Sequence, residues 1–213
     1  MDRLADSEAR KPCWTEREAQ APLTHQTVTS TIQIDNQPFD PTIELFSFPL
    51  HHVIETMDEL AKLRLLGRLK SAGFRGTQLD DRGLAYVAGV STIDHLDLQE
   101  TKISNHGIAV LARLPRLNYL RLKDNPQLTN DSIPHLLKLE DLIELQVHET
   151  SINQDGVNQL DTLHNLRNLC VDVSDGNYSF PALLELSARM PRCTILAKGR
   201  GEFCGGQFDG TWA

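Results

Sequence analysis

One apolar spacing recurs along this chain at a nearly constant interval. The pattern L-x-x-L-x-L, with Ile or Val allowed in place of Leu, starts at Ile93, Leu117, Leu142 and Leu166, so successive copies lie 24 or 25 residues apart. A weaker copy starts 24 residues earlier, at Leu69. A period in this range is typical of repeat proteins, in which each unit stacks on its neighbours because it cannot bury its apolar side alone.

Each unit combines a strand pattern with a helix pattern. The triplet alternates apolar and polar residues, as a strand does, whereas the later stretch, such as residues 107–117, has apolar residues three and four apart, as a helix does. The polar residues just after the triplets are expected to satisfy loop backbone groups: Thr77, Thr101, Asn125 and Thr150. The next column favours helix N-caps: Asp80, Ser104, Thr129 and Asn153. Pro134 predicts a later helix start or a 3₁₀ turn in the third unit.

This pattern resembles the leucine-rich-repeat family, in particular its short bacterial form, close to the cysteine-containing and ribonuclease-inhibitor-like classes. The second unit carries the resemblance at Leu96, Leu98, Thr101, Ile103, Gly107, Leu111, Leu114 and Leu117. The resemblance covers about residues 66–173. It implies an α/β fold, a leucine-rich-repeat solenoid in the shape of a short horseshoe with a parallel sheet on its inner, concave face. In that family the inner face usually binds another protein.

A solenoid needs a cap at each end because its terminal strands would otherwise expose unpaired backbone groups. We predict that residues 1–24, which are polar and aperiodic, are disordered. Residues 25–66 are expected to form an N-terminal cap of strand and helix, and residues 67–192 to hold about five repeats. Residues 193–213 are then an irregular C-terminal cap with a glycine-rich tail.

Both caps carry patterns of their own. Residues 24–35 alternate like a strand and predict a hairpin beside the N-terminal cap. After Pro49, a helix that covers the first repeat is predicted by apolar residues at Val53, Ile54, Met57, Leu60, Leu63 and Leu66. Residues 180–190 predict a last helix, and a degraded copy of the pattern, Cys193-x-x-Leu196, predicts a last strand. Three aromatic residues of the tail are expected to fold back on that edge: Phe203, Phe208 and Trp212.

If the strands align, the polar residues around the leucines form columns on the inner face. The predicted partner-binding residues are His95, Asp97, Gln99, Glu100, Tyr119, Arg121, Lys123, Asp124, Glu144, Gln146, His148 and Glu149. Three acidic residues fall in one column, Glu100, Asp124 and Glu149, where like charges repel unless they are hydrated or paired. That column is either a hydrated rim or a binding surface for Lys and Arg side chains of a partner. Tyr119 is either an interface anchor or a ring that covers the sheet.

Charge and cysteine usage restrict the partners and the compartment. Lys and Arg total 21 against 29 Asp and Glu, a net charge of −8, which argues against nucleic acid and anionic lipid as partners. No apolar run approaches the roughly 20 residues that cross a bilayer, and the first twenty residues lack the apolar region of a signal peptide. We therefore expect no nucleic-acid or membrane partner, a cytoplasmic location and reduced cysteines.

The sequence contains no evident catalytic or metal-binding constellation. The four cysteines form no C-x-x-C pair. His95 and His148 are expected about 10 Å apart, which is too far to share a metal without further ligands. Cys170 is a candidate reactive thiol on the inner face, although no activating base lies beside it in the pattern. We expect a protein without enzymatic activity, metal or cofactor.

Three functions remain open from the sequence. The first is a non-enzymatic protein-binding module, for example a small acidic inhibitor that masks a basic partner, such as the immunity protein of a secreted toxin. The second is an adaptor or assembly factor whose repeats hold one client while residues 1–66 bind a second protein. The third is an enzyme with a site in the caps or the tail. Composition and motifs favour the first.

Overall fold

The computed structural model describes residues 31–173 and 176–212. The segment predicted to be disordered, residues 1–24, lies outside the described residues, as do the first positions of the strand pattern at residues 24–35. The remainder of that pattern forms part of a hairpin.

Within the described residues the chain forms thirteen β-strands, four α-helices and four 3₁₀ helices. The strands are β1 (Ile32–Ile34), β2 (Gln37–Phe39), β3 (Leu45–Ser47), β4 (Ser71–Gly73), β5 (His95–Asp97), β6 (Tyr119–Arg121), β7 (Asn125–Thr129), β8 (Glu144–Gln146), β9 (Thr150–Ser151), β10 (Asn168–Val171), β11 (Thr194–Ala197), β12 (Gly201–Cys204) and β13 (Gln207–Gly210). The α-helices are α1 (Asp81–Val87), α2 (Ile133–Leu136), α3 (Gln154–Val157) and α4 (Phe180–Arg189). The 3₁₀ helices span Met57–Leu65, Gly107–Arg113, Asn130–Ser132 and Asn158–Thr162.

One nine-stranded sheet runs through the molecule in the order β13-β12-β11-β10-β8-β6-β5-β4-β3. The seven strands from β3 to β11 are parallel and pair residue for residue, and β12 and β13 follow antiparallel. The middle residues of the parallel strands form one buried row: Phe46, Ala72, Leu96, Leu120, Leu145, Leu169 and Ile195. This row confirms the predicted alignment of the repeats and an α/β repeat fold. The horseshoe curvature stays a prediction.

The first copy of the pattern escaped prediction from the sequence. It reads Ile43-x-x-Phe46-x-Phe48, 26 residues before the copy at Leu69, and forms β3. Phe46 and Phe48 are buried, and their rings lie 5.7 and 6.1 Å from that of Phe74 in the next unit. Phenylalanine in the leucine positions and a longer interval concealed this strand, which closes the end of the sheet.

The α-helix predicted after Pro49 is replaced by a later and tighter segment. A 3₁₀ helix spans Met57–Leu65, and the backbone N–H of Asp58 donates to the Thr56 hydroxyl at its start. Ile54, Leu60, Leu63 and Leu66 are buried as predicted, but Val53 is 71% exposed because it precedes the helical turn.

The β1–β2 hairpin is bound to this cap through its turn. Asp35 and Asn36 have positive φ angles of 48° and 62°, as a two-residue hairpin turn that follows the twist of the strands requires. The buried Asp35 carboxylate accepts from the backbone N–H of Glu55 (2.8 Å) and lies 2.6 Å from His52 Nε2. The imidazole of His52 in turn stacks on Phe48 at 4.3 Å. The hairpin is thereby fixed to the first repeat.

The C-terminal end has the predicted helix, α4, but the last copy of the pattern is shifted by one residue. Ile195 and not Leu196 pairs with Leu169, so Ile195 and Ala197 face the core while Leu196 lies half-buried on the other face. A shift of one residue reverses every side chain of a strand, so the prediction of Cys193-x-x-Leu196 was wrong in register.

The tail covers this edge with aromatic side chains, as expected. Phe203, Phe208 and Trp212 pack around Phe180 of α4, with ring centroids 4.6 to 6.1 Å apart. Phe203 is fully buried opposite Ile195 and extends the interior row of the sheet. The antiparallel β12–β13 hairpin thus ends the stack.

Side-chain hydrogen bonds connect the loops of neighbouring units, which confirms the structural role predicted for the Thr and Asn column. Asn125 is fully buried, and its amide donates to the carbonyls of Leu98 (2.8 Å) and Leu122 (2.9 Å) while its Oδ1 accepts from the backbone N–H of Thr101 (3.0 Å). Around Pro134, a 3₁₀ turn at Asn130–Ser132 precedes α2, also as predicted. These contacts connect neighbouring units and stabilise the strand ends that carry the inner face.

Candidate partner-binding face

The twelve predicted partner-binding residues come together on three neighbouring strands. The register places His95, Tyr119 and Glu144 side by side in a first column, and Asp97, Arg121 and Gln146 in a second. The residues that follow β5, β6 and β8 supply a third column, Gln99, Lys123 and His148, and a fourth, Glu100, Asp124 and Glu149. We call these four columns the inner face. Its polar side chains form two groups, one around Tyr119 and one around Lys123.

The first group is built on an aromatic pair. The rings of His95 and Tyr119 stack with centroids 5.4 Å apart and planes 15° from parallel. His95 Nδ1 lies 2.7 Å from Asp94 Oδ1, and the Tyr119 hydroxyl accepts from the side-chain amide of Gln146 at 3.0 Å. Burial, with the nearby Glu144 carboxylate, raises the pKa of Tyr119 to about 12, so the phenol stays neutral. The stacked pair is therefore a pre-oriented aromatic surface.

Glu144 lies on the strand next to Tyr119 and is only half-exposed. The same Gln146 amide donates to its Oε1 at 3.2 Å. Burial raises the pKa of this carboxyl, and the Gln146 hydrogen bond and His95 offset only part of that effect. In the part of the chain that the structure describes, no Lys, Arg or His nitrogen lies within 4 Å of it. Glu144 is thus a half-buried carboxyl group with no ion pair among the described residues.

Asp97 and Arg121 form a loose ion pair in the second column. Their closest atoms, Asp97 Oδ2 and Arg121 Nη1, are 3.5 Å apart. Burial raises the pKa of Asp97 despite a hydrogen bond from the backbone N–H of Gln99 and the charge of Arg121. Arg121 Nε is buried without a hydrogen-bond partner among the described residues. The guanidinium of Arg121 therefore keeps one N–H donor, at Nε, without an acceptor among the described residues.

The acidic column is paired largely within the chain. Lys123 Nζ lies 3.2 Å from Asp124 Oδ2 and 3.4 Å from Glu149 Oε2, and Lys198 forms a second ion pair with Glu149. Burial opposes the ionisation of Asp124, but the pKa of Asp124 is lowered overall, with the Lys123 ion pair and a hydrogen bond from the Gln99 amide among the causes. Glu100 is exposed and, among the described residues, makes no ion pair. The column therefore combines an internal network with one available carboxylate.

Lys198 was missed from the sequence for an identifiable reason. It follows β11 at the position that Lys123 and His148 occupy after their own strands. The one-residue error in the last copy placed Gly199 there instead. Correct register would have put a lysine in the same column.

The backbone of the acidic column is also unusual. Glu100, Asp124 and Glu149 have φ angles of 54°, 56° and 59°, and the corresponding residue of the preceding unit is Gly76, with φ 66°. Left-handed backbone favours glycine and disfavours residues with a Cβ atom. Three carboxylates thus occupy positions where glycine is the residue of lowest conformational cost.

His148 of the inner face and Cys170 of the adjacent strand β10 are both uncharged at pH 7. His148 is 6% exposed, and burial together with Lys198, Lys123 and Arg121 lowers its pKa to about 4, so the imidazole is neutral at pH 7. Burial raises the pKa of Cys170 to about 12, which removes the thiolate that a reactive cysteine needs. Cys170, Cys193 and Cys204 are free thiols. No group of three or more His, Cys, Asp or Glu residues able to hold a metal occurs within residues 31–173 and 176–212.

The acidic column opens on a polar groove of about 860 Å³ beside the strand ends. Its walls include Glu100, Asp124 and Glu149 together with the loop residues Gln127 and Ser151. Among the described helices, none is both long and apolar enough to cross a membrane.

Comparison with known proteins finds distant structural likenesses. No protein-family model and no curated protein matches the sequence. Internalin C2 of Listeria monocytogenes is 23% identical with a TM-score of 0.48, over 68% of this chain and 65% of that one. A leucine-rich-repeat protein of Leptospira interrogans is 16% identical (TM-score 0.44, 63% and 38% coverage), as is the internalin InlF of Listeria monocytogenes (0.41, 68% and 56%). This chain spans less than two thirds of each, and its fold is assigned from its own strand register.

Proposed function

We propose that this chain is a non-enzymatic protein-binding module that uses the inner face of its sheet. The observation that carries the proposal is the residue-for-residue alignment of β5, β6 and β8, which sets the column of His95, Tyr119 and Glu144 beside that of Asp97, Arg121 and Gln146. A surface fixed by a sheet loses little conformational entropy on binding. A rigid tyrosine beside charged groups is a frequent energetic centre of protein interfaces.

The proposed partner is a basic protein, and the proposed role is that of a small acidic inhibitor, such as an immunity protein that neutralises a toxin. The net charge of −8 supports this, as do Glu100 and Glu144, which form no ion pair with the described residues. The three carboxylates at left-handed positions support it as well, since a costly residue choice is often retained for function. The free thiols are compatible with the cytoplasm as the proposed compartment.

Affinity capture from the native lysate tests this proposal. The wild type is compared with a Tyr119→Ala, Glu100→Lys double variant and with Glu140→Lys, a matched charge reversal at an exposed glutamate outside the inner face. We expect the same protein to be captured by the wild type and by Glu140→Lys and to be lost with the double variant, whose folding is checked by its melting temperature. Undiminished capture by the folded double variant contradicts the proposal.

A second candidate, the adaptor, is favoured by the surface of the N-terminal cap. Four large apolar side chains between residues 45 and 65 are more than half exposed: Leu45, Leu50, Val53 and Leu65. Such side chains on a cap are compatible with a second binding surface. Replacement of Val53 and Leu65 by serine discriminates, because an adaptor loses one of two captured proteins whereas an inhibitor with a single site loses none.

A further inference from the structure

The half-buried carboxylate of Glu144 forms no ion pair with the described residues. A carboxylate removed from water is stabilised by a cation or by several hydrogen bonds, and here the described residues supply one amide hydrogen bond, from Gln146. Neighbouring cations are engaged elsewhere: Arg121 with Asp97, and Lys123 with Asp124. Glu144 is therefore a site of negative charge that the fold itself does not neutralise.

An aromatic surface lies directly beside this carboxylate. Tyr119 is the register partner of Glu144 on the adjacent parallel strand, which places their Cα atoms about 4.8 Å apart. Gln146 donates to both side chains and fixes them relative to each other. The stacked ring of His95 extends the aromatic surface by one strand.

A carboxylate next to a tyrosine ring fits one kind of side chain best. A guanidinium is planar, stacks on aromatic rings and binds a carboxylate through two parallel hydrogen bonds. It is also less strongly hydrated than an ammonium, so it loses less on entering a partly buried site. Lysine satisfies the charge but neither the stacking nor the paired hydrogen bonds.

We propose that Glu144, Tyr119 and His95 form a binding site for an arginine side chain of the partner protein. The identity of the ligand as part of a protein rests on the proposed function, whereas the affinity of the site for a guanidinium does not. The site lies in the first column, apart from the acidic column that Lys123 and Lys198 occupy.

Nuclear magnetic resonance titration of the full chain tests the site with small probes. The probes are N-acetyl-arginine amide, N-acetyl-lysine amide and N-acetyl-citrulline amide, the last being the uncharged analogue of arginine. The variants are Glu144→Gln and, as a matched control outside the inner face, Glu140→Gln at an exposed glutamate. The ring resonances of Tyr119 and His95 report on occupancy.

We expect a saturable shift of both rings with the arginine probe, a weaker response to the lysine probe and none to the citrulline probe. Glu144→Gln should weaken arginine binding at least about fivefold because the charge-assisted hydrogen bonds are lost, while Glu140→Gln leaves it unchanged. Equal binding of arginine and citrulline probes, shifts confined to the acidic column, or absence of a saturable shift overturns the proposal. If the wild type binds the arginine probe but the folded Tyr119→Ala, Glu100→Lys variant still captures the partner protein, only the proposed function is refuted.

Discussion

Lys198 forms an ion pair with Glu149 across one intervening strand, and this contact neutralises part of the negative charge of the acidic column. The two residues follow β11 and β8, and β10 lies between these strands. The hydrogen bond and charge of Glu149 raise the pKa of Lys198. With Lys123 on the other side, the column is neither a simple hydrated rim nor a fully open surface for a partner's cations.

Removal of Lys198 should therefore expose negative charge. We expect Lys198→Met to increase the affinity for the basic partner, because Glu149 then becomes available to it. The cost in folding stability should stay below about 1 kcal/mol, since both side chains are partly exposed to solvent. Binding measured at two salt concentrations checks this, and Lys102→Met, at an exposed lysine of the same groove, is the control. Weaker binding of Lys198→Met would show that the lysine itself contacts the partner.

The left-handed backbone at Glu100 should lower the stability of the fold, while its carboxylate should strengthen partner binding. Its φ of 54° favours glycine, so Glu100→Gly is expected to raise the free energy of unfolding by about 1 kcal/mol while it weakens partner binding. Gly76→Ala in the equivalent position of the preceding unit should destabilise, because the added Cβ would lie 2.5 Å from His51 Nδ1 at a φ of 66°. Denaturant unfolding and a binding titration check both. Loss of stability in Glu100→Gly contradicts the backbone argument.

Glu144 should destabilise the fold once it is ionised. Its folded pKa is raised by burial, so stability is lost as pH rises from the ordinary glutamate value of 4.5 through the folded value. We expect Glu144→Gln to be more stable than the wild type at pH 7, and the difference to vanish below pH 4.5. Unfolding curves across this range measure it, with Glu140→Gln, an exposed glutamate outside the inner face, as the control. An equal gain at low pH would mean that packing and not charge is responsible.

His148 should make the fold sensitive to acid. Its pKa is lowered from 6.5 to about 4, so the unfolded chain binds a proton that the native chain excludes, and stability falls as pH drops through this window. The shift corresponds to about 3 kcal/mol at pH 4. We expect His148→Gln to lose less stability than the wild type between pH 6.5 and pH 4. Parallel curves for the two proteins would contradict a buried neutral imidazole.

The register of the last parallel strand can be tested by truncation. Ile195 is fully buried in the interior row, so Ile195→Ala should cost about 2–5 kcal/mol. Leu196 lies half-buried on the opposite face, and Leu196→Ala should cost about 1 kcal/mol or less. The reverse order in thermal unfolding would support the register first predicted from Cys193.

The repeats were predictable because their apolar spacing is itself the physical cause of the stacking. Leu96, Leu120, Leu145 and Leu169 could be placed in one row from the period alone. The ends were harder, because a cap follows no period and Phe46 replaces leucine in the first unit. Near Cys193, the adjacent residues Ile195 and Leu196 are both apolar. The apolar spacing alone therefore does not decide which of the two pairs with Leu169.

Membership of the inner face was also predictable, but its electrostatics was not. The columns around Tyr119 follow from strand alternation. The pairing of Lys198 with Glu149 depends on long side chains that reach past a strand, and sequence spacing does not encode that reach. The left-handed backbone at Glu100 was likewise hidden, because the glycine that would signal it is present only at Gly76.

Carboxylate footprinting of the captured complex tests the central claim, that the inner face is the binding surface. Glycine amide coupled by a carbodiimide labels accessible carboxylates, and mass spectrometry compares the labelling of each residue in the free and the bound chain. We expect Glu100 and Glu144 to lose labelling on binding, while Glu185 of α4, whose side chain is 76% exposed, labels equally in both states. Protection of Glu185 with unchanged labelling of Glu100 and Glu144 would contradict the claim.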